Sequence, residues 1–316
     1  MQHTISFRPF FSLGFLVLGL LIGTQTLAQS SLSLRSDNIL QQHIEEIVRG
    51  FHGDVGVYVR HLKTGQCASV NADSLFPTAS MIKVPILCGI MERIRKGELT
   101  FDSVVTYRDS MKYDDGFTGS LKDSSKVPVG ELVHLMLTLS DNTASVWLER
   151  LAGGGMTINR WLDANGFHAT RVNSRTPERE QFRNVYGWGQ TTPREMAELV
   201  VLIHQGKAVS PAASNRMDRA LGRSYWDGES LSQIPSSIHV LSKQGAVNQS
   251  KSEVVLVNAS SGDYVFCVIT KNQTDTRWVH ENEGYVLLRR ISHLLLNYFE
   301  PSLHWSPLQG MEKFSP

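Results

Sequence analysis

The chain has 316 residues, of which 41% are hydrophobic and 19% are charged. This is an ordinary globular composition with room for one large domain or two small ones. The 31 lysines and arginines nearly balance the 30 aspartates and glutamates, so the chain has no general attraction to nucleic acid or to an anionic membrane surface. We therefore expect no nucleic-acid partner.

The N-terminus has the features of a secretory signal peptide. A basic start leads into an apolar segment from Phe10 to Ile22, and the small residues of Thr26-Leu27-Ala28 offer a cleavage site. The apolar segment is short for a membrane span, and no cysteine near the cleavage site could carry a lipid. We expect residues 1–28 to be removed, which leaves a periplasmic or secreted protein without a membrane anchor. Arg8 is the only charge lost, so the mature chain has 30 residues of each sign.

The cysteines and histidines suggest no metal site or cofactor. Cys67, Cys88 and Cys267 are far apart in sequence and form no CxxC pair, so we expect buried free thiols. A bridge between Cys67 and Cys267 in an oxidising compartment stays open. The 11 histidines form no His-Glu-x-x-His or similar ligand cluster.

Hydrophobic periodicity and turn residues predict the elements in chain order. Helices are predicted over 37–50, 80–96, 129–139, 143–151, 157–165, 191–205 and 279–299, and strands over 56–60, 66–71, 238–242, 253–258 and 264–270. Asp114-Asp115-Gly116 is predicted to be a turn, and residues 173–190 form a long loop, which in a compact domain is usually functional.

Strands lie at both ends of this order and helices lie between them. That order predicts one sheet completed by distant segments and interrupted by a helical lobe. We expect a single unit over 29–316, with a sheet lobe at about 37–77 plus 226–305 and a helical lobe at about 78–225. The fold class is α/β plus all-α: a five-stranded antiparallel sheet flanked by helices, with the helical domain inserted.

The stretch from Thr78 to Leu87 contains a serine and a lysine that could act together as a nucleophile and its base. Ser80 and Lys83 are three residues apart, so on a helix they share one face. A serine hydroxyl needs a base within reach to act as a nucleophile, and burial favours the neutral form of a lysine. Pro85 should cost this helix a hydrogen bond. The alternative is a serine near a helix cap and a lysine reaching solvent.

Ser140-Asp141-Asn142 follows the helix predicted over 129–139. Such residues usually cap helices and form turns. In a pocket they would do more: Ser140 could relay a proton to a leaving group, and Asn142 could hold a substrate amide and the lysine amine.

A third element should supply a cation for an anionic substrate group. Lys63-Thr64-Gly65 lies on a predicted hairpin tip before the serine, so we take it as a turn. Lys243-Gln244-Gly245 is the better candidate, because it ends a strand and its glycine permits a close backbone approach. Ala246 could then give one N–H to an oxyanion and Ser80 the other. The alternative for Lys243 is a solvated lysine.

The ordered motifs Ser80-Met81-Ile82-Lys83, Ser140-Asp141-Asn142 and Lys243-Gln244-Gly245 resemble those of class A β-lactamases among the penicillin-recognising serine hydrolases. The resemblance spans about residues 37–299 and includes Thr191-Thr192-Pro193. It implies a cleft between a helical and a sheet domain, where Ser80 is acylated by the lactam carbonyl and Lys83 activates it. Ser140 would shuttle the proton, Asn142 would bind the acylamide, and Lys243 would bind the carboxylate.

Two departures from the family pattern affect turnover and substrate. The family places a glutamate in the long loop to activate the deacylating water. One alignment puts Thr176 at that site, and a shifted gap brings in Glu178, our candidate base. Glu178 as a solvated carboxylate is the alternative, and deacylation would then be slow. Gln244 replaces the usual Thr or Ser. Family members commonly carry an arginine further along the strands. No such arginine is evident here, and Lys251 and Lys271 are only loose substitutes.

We therefore expect a monomeric periplasmic serine β-lactamase that acts on a small-molecule β-lactam or peptide-like substrate through an acyl-enzyme on Ser80. One alternative is a penicillin-binding-type peptidase or amidase acting on cell-wall peptide, or a slow-deacylating relative. Another is a sensor or binding domain that keeps the fold without the activity.

Overall fold

The structure is a computed structural model that describes residues 1–3, 33–306, 312–314 and 316. The predicted signal peptide lies outside these residues except for its first three. The description below concerns the compact unit Ser33–Pro316. None of the helices in the described ranges has the length and hydropathy that a membrane span requires.

The strands of the main sheet lie near both ends of the described chain and most of the helices lie between them, as the sequence predicts. The α-helices of the described residues are α1 (Asn38–Val48), α2 (Lys83–Arg95), α3 (Val129–Thr138), α4 (Asn142–Leu151), α5 (Gly154–Ala164), α6 (Glu180–Tyr186), α7 (Pro193–His204), α8 (Pro211–Leu221) and α9 (Glu283–Phe299). The strands are β1 (Arg35–Ser36), β2 (Asp54–His61), β3 (Gln66–Val70), β4 (Phe76–Pro77), β5 (Val104–Thr106), β6 (Lys126–Pro128), β7 (Arg171–Val172), β8 (Gly189–Thr191), β9 (Val240–Val247), β10 (Ser250–Val257) and β11 (Tyr264–Lys271).

The main sheet joins the start of the chain to its end. Its strand order is β1-β3-β2-β11-β10-β9. The β2–β11 pair runs antiparallel from Tyr264↔His61 to Lys271↔Asp54, so segments about 200 residues apart share one ladder. Five strands form the antiparallel sheet that was predicted, and the two-residue β1 adds a sixth, parallel to β3. The other strands pair in two small sheets.

Both faces of the main sheet are buried against helices. Successive side chains along a strand point to opposite sides, so one strand contributes to both cores. On β10, Val254 and Leu256 belong to the hydrophobic core shared with α2, α3, α4 and α7, whereas Val255 and Val257 belong to the core shared with α1 and α9. The fold therefore has three layers, with the sheet in the middle.

Strand β9 forms one edge of the sheet, and its free edge faces the nucleophile. A short 3₁₀ turn, Ala79–Ile82, carries Ser80 and leads directly into α2. A Cβ added at Gly245 would lie 2.6 Å from Thr78 O and 2.9 Å from Ser80 N. Only a glycine lets the two backbones come this close, so Gly245 sets the position of Ser80 against the edge strand.

The start of α2 differs from the predicted helix. The α-helix begins at Lys83 rather than at Ser80, and the preceding turn is 3₁₀. Pro85 therefore lies in the first turn of α2, where a backbone N–H has no partner within the helix anyway. The predicted cost of Pro85 therefore falls at the start of the α-helix rather than in its interior.

The long loop also contains structure that the sequence did not predict. Residues 173–190 hold the helix α6 between β7 and β8. Arg179 ties the base of the loop together by donating to Asn173 Oδ1 at 2.9 Å and to Gln190 Oε1 at 2.8 Å.

The three cysteines are free thiols, and Cys88 and Cys267 are buried. The bridge between Cys67 and Cys267 that the sequence left open is therefore not formed.

A polar cluster joins the helices α7 and α8 to the segments that lead into β9 and β11. His204 Nδ1 lies 3.0 Å from Asp218 Oδ2, and its Nε2 lies 2.9 Å from Asp263 Oδ2. His239 Nε2 lies 3.2 Å from the other oxygen of Asp218. The hydrogen bond to Asp218 raises the pKa of His204, because it outweighs the desolvation of the half-buried ring.

Candidate active site

Lys83 is fully buried at the start of α2, and none of the ion pairs among the described residues involves it. Its Nζ lies 2.5 Å from Ser140 O, 2.8 Å from Asn142 Oδ1, 3.0 Å from Ser140 Oγ and 3.1 Å from Ser80 Oγ. Burial lowers the pKa of Lys83 to about 7, and the more distant charges of Asp141 and Asp114 oppose that shift only partly. The amine is therefore neutral in a large share of molecules at neutral pH.

The acceptors around the amine decide where its lone pair points. A carbonyl oxygen and an amide oxygen can only accept hydrogen bonds. The two N–H groups of a neutral Lys83 are therefore taken by Ser140 O and Asn142 Oδ1. Its lone pair is left for a hydroxyl, and Ser80 Oγ is within reach at 3.1 Å. This arrangement lets Lys83 accept the proton of Ser80.

Ser140 bridges two amines. Its Oγ lies 3.0 Å from Lys83 Nζ and 3.1 Å from Lys243 Nζ. The residue follows α3 with a φ of 59°, an uncommon left-handed conformation for a serine. Asp141 then caps α4 by accepting from Ala144 N at 2.7 Å. The short connection between α3 and α4 thus turns the Ser140 hydroxyl into the space between the two lysines.

Lys243 is buried on β9, and the adjacent residue accepts hydrogen bonds from its amine. Its Nζ donates to Gln244 Oε1 at 2.6 Å and to Gln244 O at 3.0 Å. Burial, together with the nearby charge of Lys83, holds the pKa of Lys243 well below its usual range. A substrate carboxylate would have to compete with the side chain of Gln244 for this amine.

Asn142 begins α4 and is oriented from both ends of its amide. Its Oδ1 accepts from Lys83, and its Nδ2 donates to Asp114 Oδ2 at 2.8 Å. Asp114 comes from the segment predicted as a simple turn, so this contact was not predicted from the sequence. Thr143 Oγ1 accepts from Tyr113 N at 3.1 Å and holds the same segment against α4.

Two cavities meet at Ser80. Ser80, Asn142 and Ala246 line both of them. The loop-side cavity, about 410 Å³, extends between the long loop and the β9–β10 turn, and Lys271 is its charged lining residue. The aromatic cavity, about 1480 Å³, extends past Ser140, Gln244 and Gly245 toward Trp226 and Trp278. The serine thus lies in an open cleft with room for a ligand on both sides.

Both loop glutamates lie away from this cleft. Glu178 and Glu180 are exposed, and neither lines either cavity. Thr176, the other alignment candidate, is buried and donates to Ser174 O at 2.9 Å. Glu149 on α4 is a buried carboxylate near the loop residues Arg175 and Arg183, and burial raises its pKa to about 7. It lines neither cavity.

The structure brings together most of the residues singled out from the sequence. Ser80, Lys83, Ser140, Asn142 and Lys243 form one continuous set of hydrogen bonds, with Gln244, Gly245 and Ala246 beside it on β9. Glu178 is left out of this set. Sequence analysis missed Asp114, Trp226 and Trp278, because nothing local marks a turn or an isolated tryptophan as part of a distant cleft.

A serine, two buried lysines and a second serine hydroxyl share one set of hydrogen bonds beside an edge strand, which is an arrangement suited to a serine hydrolase. Comparison with known proteins narrows the class. Residues 39–299 match the model of the family described as the beta-lactamase enzyme family. That match covers well over half of the chain. The chain therefore belongs to the beta-lactamase enzyme family, as a class A β-lactamase-like serine hydrolase.

Individual relatives agree with the family match. A beta-lactamase of Rhodobacter capsulatus is 22% identical over 270 residues, covering 85% of this chain and 90% of the relative. Among solved structures, PBP-A superposes with a TM-score of 0.76 at 25% identity, covering 85% of this chain and 98% of PBP-A. A point mutant of PBP-A, solved as an acyl-enzyme complex with penicillin G, superposes equally well, with a TM-score of 0.76 at 26% identity over 85% of this chain and 99% of the mutant.

Proposed function

We propose that this protein is a periplasmic serine β-lactamase that forms an acyl-enzyme on Ser80 and releases it slowly. The observation that carries the acylation step is the 3.1 Å distance between Ser80 Oγ and Nζ of the buried Lys83, whose pKa burial lowers to about 7. The PBP-A mutant trapped as an acyl-enzyme with penicillin G supports a covalent intermediate by analogy.

Acylation follows from the order of the hydrogen bonds. Ser80 Oγ attacks the lactam carbonyl carbon while its proton moves to Lys83 Nζ. The N–H groups of Ser80 and Ala246 stabilise the oxyanion. The carbon–nitrogen bond then breaks, and the proton travels from Lys83 through the Ser140 hydroxyl to the lactam nitrogen. Asn142 holds the acylamide side of the substrate.

Deacylation lacks a positioned carboxylate. Among the residues that the structure describes, no Asp or Glu lines the loop-side cavity. Glu178 and Glu180, the loop candidates, are exposed outside the cleft. Water therefore has to be activated by Lys83, whose contacts are arranged for the serine, so we propose that hydrolysis of the ester is much slower than its formation.

The test combines a chromogenic cephalosporin with intact-mass analysis of the mature protein. We expect a rapid burst of about one equivalent, an adduct on Ser80, and a slow steady state. Ser80→Ala should show neither burst nor adduct. Equal and negligible reaction of both proteins would reject the acylation step, and hydrolysis without an accumulating adduct would reject slow deacylation.

A further inference from the structure

The two cavities that meet at Ser80 differ in charge and in wall chemistry. In the described part of the chain, the lining of the loop-side cavity contains one cation, Lys271, and no carboxylate. The aromatic cavity has no Lys or Arg in its lining among the described residues. Five carboxylate residues line it instead, namely Asp114, Asp141, Asp227, Glu229 and Glu281. The cleft is therefore polarised along its length, with the nucleophile at the junction.

Indole rings flank the aromatic cavity and are fixed in place. Trp226 is 48% exposed, and its Nε1 donates to Leu139 O at 3.0 Å, directly before Ser140. Trp278 is 59% exposed, and its Nε1 donates to Asn248 Oδ1 at 3.0 Å in the β9–β10 turn. Exposed aromatic rings cost free energy in water, and rings held by their polar edge lose little freedom when a ligand covers them.

The position of Ser140 shows which part of a substrate enters this cavity. Ser140 lines the aromatic cavity and does not line the loop-side cavity. In the proposed reaction its hydroxyl delivers the proton to the departing nitrogen. The leaving-group side of the substrate therefore faces the aromatic cavity, while the acyl side faces the long loop.

The nearest lysines do not neutralise the negative side of the cleft. Lys243 already donates to Gln244 and Ser140, and burial disfavours its charged form. Lys251 is buried behind the cavity wall, where it donates to Val247 O at 2.7 Å and lies 4.4 Å from the centre of the Trp278 ring. Among the carboxylates, Asp227 and Glu281 are exposed. The charge of Glu281 also acts on Arg277 and Arg289, so Asp227 is the carboxylate better placed to attract a cation. Burial raises the pKa of Glu229 to about 7.

We propose that the aromatic cavity is a specificity site for a cationic ring on the leaving-group side of the substrate. The Trp226 indole binds the ring and its charge together, because the Trp278 ring already has the Lys251 ammonium 4.4 Å from its centre. Asp227 and Glu281 add longer-range attraction. This inference rests on the proposed acylation of Ser80 and deepens it. The cation preference also accounts for Gln244, which accepts a hydrogen bond from Lys243 and so occupies its amine. A site that favours a cation gains little from a lysine that is free to bind a carboxylate.

The test uses two cephalosporins that share one acyl side chain. One carries an N-methylpyridinium ring on the leaving-group side, and the other carries the uncharged tolyl ring of the same shape. The second-order rate of adduct formation on Ser80 is measured by intact mass, and each rate is divided by the alkaline hydrolysis rate of its compound. We expect the cationic compound to react about tenfold faster, a ratio that falls as salt is raised from about 0.02 M to about 0.5 M.

Variants separate the ring from the charge. Asp227→Asn combined with Glu281→Gln should cut the cationic-to-neutral ratio by about fivefold, and Trp226→Leu should slow both ring compounds. Glu46→Gln combined with Asp102→Asn removes two exposed carboxylates elsewhere and should leave the ratio unchanged. Melting temperatures of the variants control for folding.

The outcomes also separate this inference from the function on which it rests. Equal rates for the two compounds on the parent protein would overturn the cation preference. So would a ratio that the Asp227 and Glu281 double variant leaves intact. Failure of both compounds to acylate Ser80 would instead overturn the proposed function, and the inference with it.

Discussion

Replacing Lys83 by arginine tests the central step, because arginine keeps the charge but cannot give up its proton. Lys83 is fully buried, and its pKa of about 7 follows from desolvation. At about pH 6 roughly a tenth of the molecules hold the neutral amine, and at about pH 8 roughly nine tenths do, so acylation should rise about tenfold between these values. The sign is fixed by the role, since the base must be unprotonated to accept the proton of Ser80.

The magnitude for the variant follows from the loss of general-base catalysis. Lys83→Arg should lower the second-order rate of Ser80 acylation by about 10² to 10⁴, which is the usual contribution of a positioned general base. The variant should also abolish the rise of this rate through pH 7. Stopped-flow measurements with a chromogenic cephalosporin over about pH 5.5 to 9 give both quantities. Because a guanidinium in this buried space also stresses the fold, Lys83→Met serves as a second variant, with melting temperature as the control. An acylation rate within tenfold of the parent, or a flat pH profile for the parent, would refute the assignment of Lys83 as the base.

Three further predictions concern other parts of the molecule. Glu178→Gln should change the half-life of the acyl-enzyme by less than about twofold, because this exposed side chain lies outside both cavities; a tenfold longer half-life would show that the loop brings it to the ester. Gly245→Ala should slow acylation by tenfold or more and destabilise the protein by about 1–3 kcal/mol, since the new methyl group would lie 2.9 Å from Ser80 N; unchanged kinetics would mean that β9 can move away freely. His204, whose pKa is raised by its hydrogen bond to Asp218, should stabilise the fold at low pH, and this contribution should be lost as pH rises through the folded-state pKa. Urea unfolding of His204→Gln should therefore show a larger stability deficit at about pH 6 than at about pH 8, and the opposite trend would contradict this assignment.

Local patterns were sufficient for most of the fold. The period of apolar residues predicted α3, α7 and the strands near both chain ends, because burial on one face imposes that spacing. Thr192 and Pro193 marked the start of α7, and the structure shows Thr192 Oγ1 accepting from Glu195 N at 3.1 Å. The helix α6 escaped prediction because it is short and buries none of its residues. It therefore leaves no apolar period in the sequence.

The sequence by itself determined which side chains can carry the chemistry: Ser80 and Lys83 three residues apart, Ser140 and Asn142 at a helix junction, and Lys243 next to a glycine. Spacing within one helix turn is a local property, so it can be deduced without coordinates. Only the tertiary structure decided what these groups do together. Desolvation of Lys83, the capture of Lys243 by Gln244, the exclusion of Glu178 and the polarised cleft all depend on atoms that are distant in sequence, because burial and charge are properties of the folded surroundings.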